Sequence, residues 1–304
     1  MNNMSNFLEI QAFIQIVESG SITAAAERLE IAKSAVSRRL SELEARLGVQ
    51  LFHRTTRKLT LTDSGRGFYE RTVRILSDLE EAEHAVSQAH RKIQGPLKIA
   101  APLTFGLRHL GPAINDFKRA HPLIHFEIDF NDRQIDVVHE GFDVAIRIAR
   151  LQDSSLIARR IATMSMVTCA SPAYLQQHGT PQTPEELPDH ACLTYSYLAN
   201  PNVWQFHDLH ENEISIKINS EIQANNGDYL LAAAIDGLGI VRQPRFIVYE
   251  AIQSGELTPI LTDYSIPTVN AYAIYPPTRH LSLRVRAFVD FLAERFAGTP
   301  YWES

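Results

Sequence analysis

The chain has 304 residues, of which 45% are hydrophobic and 21% charged, and its formal net charge is −6. That length allows two or three domains with their own cores, and the composition is typical of a soluble globular protein. No apolar run is long enough to span a bilayer, and no export signal is recognisable, so the cytoplasm is the expected location. Two cysteines, Cys169 and Cys192, exclude a disulfide framework.

The basic residues are concentrated near the N-terminus. Residues 28–74 contain eleven lysines and arginines and five acids, so this segment carries +6 and the remainder −12. Such a segment can neutralise phosphates while the rest of the chain stays acidic. A solvated charged face is the alternative interpretation, and the helical pattern described next, which coincides with the basic segment, makes that alternative weaker.

A winged helix-turn-helix is predicted over residues 7–62. Apolar side chains at helical spacing define its first helix, at Leu8, Ile10, Phe13, Ile14 and Val17. The helix that begins near Lys33 has an apolar stripe, formed by Ala35, Val36, Leu40, Leu43 and Leu47. Its other face carries short or basic side chains, as a helix in a DNA major groove requires.

Eight residues are predicted to contact DNA: Lys33, Ser34, Ser37, Arg38, Ser41, Arg54, Thr56 and Arg57. Arg38 suits a bidentate contact with guanine, and Ser37 suits a phosphate or a base edge. Lys33 and Ser34 begin the helix, where backbone N–H groups favour phosphate. Arg57, at the wing tip, suits a narrow A·T-rich minor groove. For each residue alone, a solvated polar side chain is the alternative.

A long amphipathic helix is predicted from Asp63 to about Ile93. Apolar residues recur at spacings of three to five, at Phe68, Val73, Leu76, Leu79, Ala82 and Val86. This surface suits pairing with a second copy of the chain. A core helix of the same domain is the alternative. Pairing is favoured because the helix separates two complete units and a helix-turn-helix usually docks as a dimer.

Gly95 and Pro96 end that helix, and an α/β region follows. Alternating elements, with strands at 97–101, 125–130 and 143–148 and helices at 104–120 and 134–140, predict a mostly parallel, doubly wound sheet. Further strands are predicted at 164–170, 191–195, 214–218 and 271–275. Further helices are predicted at 172–177, 227–235, 245–254 and 282–296. Two lobes of this kind leave a ligand cleft between them.

The chain resembles the LysR-type transcriptional regulators over essentially its full length. The motif positions that match are Phe13, Ser21, Ala25, Ala26, Leu29, Ser34, Ala35, Val36, Ser37, Leu43, Glu44, Gly48, Leu51, Phe52, Arg54, Leu61, Thr62 and Gly65. Segments 141–147 and 237–240 match more weakly. In the family pattern the Ser37–Arg38 pair meets DNA. Many relatives have glutamine or another polar residue at the Lys33 position, so the base contact there is open.

The resemblance implies three parts. These are an α+β winged helix-turn-helix domain at 1–62, a long linker helix for dimerisation at 63–93, and a two-lobed α/β effector domain at 94–304. The effector domain would resemble periplasmic binding proteins, with lobe I at about 94–163 and 269–304 and lobe II at about 164–268. The resemblance further implies a homotetramer, or at least a dimer, that represses or activates transcription from promoter DNA in response to a small molecule.

Five residues are predicted to contact that effector: Leu103, Thr104, Arg147, Asn226 and Gln243. Leu103 and Thr104 are carried over from the family, whose members use the segment after the first strand. Thr104 and Asn226 can also cap helices, where N–H groups attract a carboxylate. Arg147 suits either an anionic effector or a structural ion pair, and both remain open. Gln243 can line the cleft.

Other chemistry is weakly indicated. His207 and His210 lack the further ligands of a metal site, so neither a metal nor another cofactor is expected. No catalytic constellation or phosphate-binding loop is found, so the chain is not expected to be an enzyme. Cys169 and Cys192 lie in apolar strands, where buried, inert thiols are expected rather than redox sensors.

Two other functions are less consistent with the sequence. A binding protein or enzyme built on the two-lobed domain lacks both an export signal and catalytic residues. An architectural DNA protein does not need two lobes and a cleft. In a regulator, ligand-driven rotation near Gly95 would change the spacing of the DNA-binding heads, DNA bending and contacts with RNA polymerase.

Overall fold

The computed structural model describes residues 3–54, 59–86, 93–149, 156–277 and 281–303. The chain divides into two compact units, Met1–Lys92 and Ile93–Ser304. Within the described ranges, no helix has both the length and the apolar composition needed to cross a membrane.

The N-terminal unit contains three short helices, a β-hairpin and a long helix. Its elements are α1 (Asn3–Ser19), α2 (Ile22–Arg28), α3 (Lys33–Leu47), β1 (Phe52–Arg54), β2 (Leu59–Leu61) and α4 (Asp63–Val86). Ser21 caps α2 by accepting a hydrogen bond from the Ala24 backbone N–H. Gly48 ends α3 in the left-handed conformation, with φ of 70°.

The core of this unit joins the helices to the hairpin. Phe13 is fully buried, and its ring centroid lies 5.5 Å from that of Phe52. The buried carboxylate of Glu44 accepts a hydrogen bond from the Leu51 N–H at 2.8 Å, which ties α3 to the start of the hairpin. A Cβ at Gly65 would lie 2.0 Å from the carbonyl oxygen of Leu51, the residue before β1, so only glycine allows α4 to begin so close to that residue.

The C-terminal unit alternates strands and helices. Its strands are β3 (Gly95–Ala101), β4 (Ile124–Phe130), β5 (Val144–Ala149), β6 (Ile157–Met164), β7 (Met166–Ala170), β8 (Ala191–Tyr195), β9 (Val203–His207), β10 (Glu213–Lys217), β11 (Asn219–Ala224), β12 (Ile240–Pro244), β13 (Thr258–Pro259) and β14 (Val269–Tyr275). Its helices are α5 (Leu103–Phe105), α6 (Gly111–Ala120), α7 (Pro172–His178), α8 (Gly227–Ile235), α9 (Arg245–Gln253) and α10 (Leu283–Arg295). A π-helical segment (Gly106–Leu110) joins α5 to α6, and 3₁₀ segments lie at Pro184–Asp189 and Tyr301–Glu303.

Two five-stranded sheets define the two lobes of this unit. In lobe I the strand order is β4-β3-β5-β14-β6, and in lobe II it is β11-β8-β12-β7-β13. Strands β9 and β10 form a separate antiparallel pair. The chain passes from lobe I to lobe II at Ser165, between β6 and β7, and returns to lobe I before β14.

The sheets are mixed, so the prediction of a mostly parallel sheet is wrong. In each sheet two neighbouring pairs are parallel and two are antiparallel. The antiparallel pairs arise where the chain crosses between lobes, because β14 enters lobe I from lobe II and β7 enters lobe II from lobe I. The predicted strand at 164–170 is likewise two strands in different sheets, separated at Ser165.

The predicted helix at 134–140 is also wrong, because this segment forms turns. The Asp136 carboxylate accepts hydrogen bonds from the backbone N–H groups of Val138 and His139, at 3.1 and 3.0 Å. Glu140 accepts from the Asp136 N–H and pairs with Arg133. Such local side-chain bonds to the backbone compete with helical hydrogen bonding.

Candidate nucleic-acid interface and ligand cleft

The outward face of α3 carries five of the eight predicted DNA contacts. Lys33, Ser34, Ser37, Arg38 and Ser41 are all exposed. The opposite face of the helix is buried in the core through Val36, Leu40 and Leu43. Side chains three or four residues apart lie on the same side of a helix, so the serines and Arg38 form one continuous polar surface.

The Arg38 guanidinium is held only weakly. Its side chain is 74% exposed, and Nε lies 3.7 Å from Oε1 of Glu42 one helical turn away. An exposed ion pair of this kind is worth at most about 1 kcal/mol. The guanidinium can therefore leave Glu42 for a base or a phosphate at small cost.

The first turn of α3 is open to an anion. The N-cap residue, Ala32, makes no side-chain hydrogen bond to the helix. In contrast, Ser21 caps α2 through its hydroxyl. The initial backbone N–H groups of α3, beside Lys33 and Ser34, are therefore available to a phosphate oxygen.

The remaining predicted contacts belong to the wing. Strands β1 and β2 pair antiparallel, with Phe52 opposite Leu61 and Arg54 opposite Leu59. The backbone of Arg54 ends β1, but its side chain, together with Thr56 and Arg57, lies outside the described residues.

A cavity of about 1170 Å³ lies between the two lobes of the C-terminal unit. Its walls are largely apolar, with Phe105 and Ile146 from lobe I and Phe246 and Ile247 from lobe II. Among the described residues, the charged ones in its lining are Asp132, Arg133, Arg147 and Arg242. A large apolar pocket with a few convergent polar groups is the usual form of a small-molecule site.

Three of the five predicted effector contacts line this cavity, namely Thr104, Arg147 and Gln243, whereas Leu103 and Asn226 do not. Asn226 has a structural role, because its Oδ1 accepts the Tyr229 N–H at 2.9 Å and caps α8. The Leu103 N–H donates to Oδ1 of Asp132 at 2.9 Å.

Thr104 does not cap a helix as predicted. Pro102 occupies the cap position, and the buried Thr104 hydroxyl donates to Oδ2 of Asp228 at 2.5 Å. Nη2 of Arg108 donates to the other oxygen of Asp228, also at 2.5 Å. Because Thr104 and Arg108 belong to lobe I and Asp228 lies in the first turn of α8 of lobe II, this carboxylate joins the two lobes.

Gln243 has an unsatisfied donor. It is 2% exposed, and within the described residues its Nε2 atom has no hydrogen-bond partner. Leaving such a group unpaired costs about 1–3 kcal/mol, so an acceptor on a bound molecule would be favoured there. Arg147 donates to the carbonyl oxygen of Ile135, which leaves further guanidinium donors for a ligand.

Four residues of this region were not predicted from the sequence: Arg108, Asp132, Tyr195 and Asp228. Burial raises the pKa of Asp132, partly offset by hydrogen bonds from the Leu103 N–H and Tyr195, and nearby Asp228 raises it further. Burial also raises the pKa of the Tyr195 phenol. The only signal in the sequence was the position of Asp132, two residues after the end of the predicted strand 125–130.

Among the described residues, the cysteines and histidines show no sign of a reactive or metal site. Cys169 and Cys192 are both buried, and burial raises the pKa of each thiol to about 12. At neutral pH the reactive thiolate is therefore disfavoured. No cluster of three potential metal ligands occurs in the described part of the chain.

Comparison with known proteins identifies both units. Residues 7–66 match the family model described as bacterial regulatory helix-turn-helix protein, lysR family, and residues 90–297 match the LysR substrate binding domain. An uncharacterized HTH-type transcriptional regulator of Haemophilus influenzae is 38% identical over 93% of this chain and 98% of its own length.

Two solved structures are also similar over nearly the whole chain. One is CrgA, a LysR-type transcriptional regulator from Neisseria meningitidis, with 36% identity, a TM-score of 0.62, and coverage of 98% of this chain and 100% of that one. The other is the Vibrio cholerae virulence activator AphB, with 30% identity, a TM-score of 0.61, and coverage of 95% and 99%.

Proposed function

The chain belongs to the LysR family of transcriptional regulators. On that premise we propose that it binds promoter DNA in the cytoplasm as a symmetric oligomer. In this proposal its DNA binding responds to a small anionic effector. We assign the DNA-binding domain to residues 1–62, the linker helix to 63–93 and the effector domain to 94–304. Lobe I then comprises about 94–163 and 269–304, and lobe II about 164–268.

The observation that carries this proposal is the polarity of α3. Its buried side builds the core of the N-terminal unit, while its exposed side presents three serines, Lys33 and Arg38. Such a surface can enter a major groove without steric obstruction and can donate to both phosphates and base edges. In this proposal Arg54, Thr56 and Arg57 extend the contact along the wing.

Symmetric assembly is supported by α4. One side of this helix packs on the N-terminal core through Phe68, Val73 and Leu76. To that extent α4 is a core helix of its own domain, which was the alternative interpretation of its apolar face. Ile75 and Leu79 nevertheless remain 62% and 42% exposed. Exposed apolar side chains one turn apart favour pairing with a second α4, giving a dimer that can assemble further into a tetramer.

An anionic effector is supported by the lining of the interlobe cavity. Among the described residues, three arginines and one acid, Asp132, line it, and one of these arginines, Arg133, is paired with Glu140. The unpaired Nε2 of Gln243 and the partly used guanidinium of Arg147 supply hydrogen-bond donors from opposite lobes. A bound carboxylate would therefore change the interaction between lobes, and through it DNA geometry and contacts with RNA polymerase.

A gel-shift titration tests the DNA part of the proposal. The full-length protein should retard the DNA upstream of its own gene in the presence of competitor DNA, and binding should weaken steeply with salt. Equal affinity for unrelated duplexes would indicate an architectural protein. A response to small carboxylates without any retardation of DNA would indicate a binding protein.

A further inference from the structure

The C-terminal segment Tyr301–Glu303 lies across the joint between the two lobes. Trp302 at its centre is fully buried. Its ring contacts His109 and Phe105 of lobe I, with centroids at 4.5 and 6.0 Å, and Phe246 of lobe II at 6.5 Å. The indole is therefore packed against aromatic rings of both lobes.

Polar contacts tie this segment to the crossover of the chain. The Glu303 carboxylate accepts two hydrogen bonds from Ser165, from the backbone N–H at 3.0 Å and from the hydroxyl at 2.5 Å. Ser165 is the residue at which the chain leaves lobe I for lobe II. Arg245, the first residue of α9, donates through Nε to the Trp302 carbonyl oxygen at 3.2 Å.

His109 completes the joint from lobe I. Its Nε2 lies 3.1 Å from the carbonyl oxygen of Phe246, and its Nδ1 lies 2.5 Å from the Tyr301 hydroxyl. A carbonyl only accepts, so Nε2 carries the hydrogen and Nδ1 accepts from Tyr301. One neutral imidazole thus links lobe I, lobe II and the C-terminal segment, consistent with the pKa of His109, which burial lowers to about 4.

The same joint continues to the ligand cavity. Arg108, next to His109 in the π-helical segment, donates to the Ile247 carbonyl oxygen at 3.1 Å and to Asp228. Asp228 in turn accepts from Thr104, which lines the cavity. Isolated π-helical turns are frequent at functional sites, and this turn carries Arg108 and His109, two of the residues that bridge the lobes.

We infer that residues 301–303 act as a strap that restrains movement between the two lobes. The strap contacts lobe I at His109, lobe II at Arg245 and Phe246, and the crossover at Ser165. Any change of lobe angle must strain or break at least one of these contacts. The effect of the strap on DNA binding rests on the proposed function, whereas its mechanical role does not.

Hydrogen exchange on the full-length protein tests the mechanical role. In Glu303→Gln, amide exchange in residues 105–110 and 245–248 should be about tenfold faster than in the wild type, because a charge-assisted contact is lost. Exchange in α1 and α3 should not change. Glu256→Gln is the matched control, since Glu256 accepts a hydroxyl hydrogen bond from nearby Ser254 at 2.8 Å and bridges no lobes. Unchanged exchange at the joint in Glu303→Gln overturns the strap.

If Glu303→Gln does not fold, Tyr301→Phe tests the mechanical role of the strap instead. It removes one hydroxyl from the His109 contact and keeps the ring packing, so exchange at 105–110 should again rise and α10 should stay protected. Wild-type exchange in Tyr301→Phe would then overturn the strap.

Gel shifts with the same variants separate the two proposals. Faster exchange with a several-fold change in DNA affinity supports the regulatory role. Faster exchange with wild-type DNA affinity and footprint overturns that role and leaves the proposed function standing. If the wild type binds no DNA specifically, the proposed function fails, while the exchange data still decide the mechanical role.

Discussion

Buried polar side chains differ in whether their hydrogen-bonding groups have partners within the protein. Glu44 and Thr104 each satisfy a specific partner, the Leu51 N–H and the Asp228 carboxylate. Gln243 is equally buried, but its Nε2 has no partner among the described residues. A native interior rarely leaves such groups unpaired, and Gln243 lines the cavity, so its Nε2 donor supports the proposed contact with a ligand.

The first prediction concerns Arg38. Arg38→Ala should weaken specific DNA binding by about 1–3 kcal/mol, roughly 5- to 150-fold, because one bidentate contact is lost. Arg119→Ala is the matched control, since this arginine is also 74% exposed and also pairs with an acid on its own helix, Asp116. Gel shifts with both variants check it. Equal DNA affinities of Arg38→Ala and Arg119→Ala would mean that α3 is not the recognition helix.

The second prediction concerns Gln243. Gln243→Leu should raise the free energy of unfolding by about 1 kcal/mol, because an unsatisfied buried amide is replaced by an apolar group of similar size. It should also reduce the thermal stabilisation by small carboxylates that the proposed function expects. Gln205→Leu serves as control, because Gln205 also lines the cavity but donates to Glu213 at 3.1 Å. Urea unfolding measures the free energy of unfolding, and thermal shift measures the stabilisation by carboxylates. A lower free energy of unfolding in Gln243→Leu would contradict the expected gain in stability.

The third prediction concerns pH and His109. Burial lowers the pKa of His109 from 6.5 to about 4, so between these values the unfolded state binds a proton that the folded state does not. Stability should therefore fall as the pH drops through this window, by at most about 2 kcal/mol between about pH 7 and pH 5. Urea unfolding at both pH values should show a smaller difference for His109→Gln. An identical difference would assign the effect to other groups.

At the scale of elements, α3 and α4 are amphipathic in different ways. The exposed face of α3 is polar and basic, which suits DNA. The exposed face of α4 includes Ile75 and Leu79, which suit another apolar surface. The same helical periodicity thus serves recognition in one helix and assembly in the other, and the chemistry of the outward face distinguishes them.

The fourth prediction follows for α4. Ile75→Glu should lower the molar mass of the full-length protein in light scattering towards that of the monomer, because a charge would be buried in the helix pair. Leu209→Glu should leave the mass unchanged, although Leu209 is more exposed, at 82%, on the turn between β9 and β10. A wild-type mass for Ile75→Glu would place the pairing surface elsewhere.

At the scale of the whole molecule, the chain combines two units with separate cores. The hydrophobic cluster of the N-terminal unit contains no residue beyond 92, and the largest cluster of the C-terminal unit draws on both lobes. A core shared by two lobes couples their stability, while the cavity between them leaves room for a ligand. This arrangement separates DNA recognition from effector recognition.

The fifth prediction tests that separation. A fragment of residues 93–304 should unfold cooperatively with heat and should not bind DNA, because its core is internal to the fragment. Its thermal stabilisation by small carboxylates should match that of the full-length protein. Calorimetry and gel shifts measure these properties, and a non-cooperative transition would show that the N-terminal unit is required for folding.

Local patterns in the sequence were sufficient for most elements and for the family. The helix predicted at 227–235 is found at those positions as α8, and the apolar stripe predicted for α3 contributes Val36, Leu40 and Leu43 to the core. The resemblance to LysR-type regulators is confirmed by the matched family models. Capping, periodicity and charge act between residues a few positions apart, so they can be read along the chain.

The joint between the lobes was decided only by tertiary structure. Thr104 meets Asp228, which is 124 residues away, and Ser165 meets Glu303, which is 138 residues away. The strands that follow each crossing between lobes also made the sheets mixed. In the segment 134–140, the carboxylates of Asp136 and Glu140 accept hydrogen bonds from backbone N–H groups, which compete with the predicted helix. Which distant side chains meet depends on strand order and on the course of the chain between lobes, and no local periodicity encodes either of these.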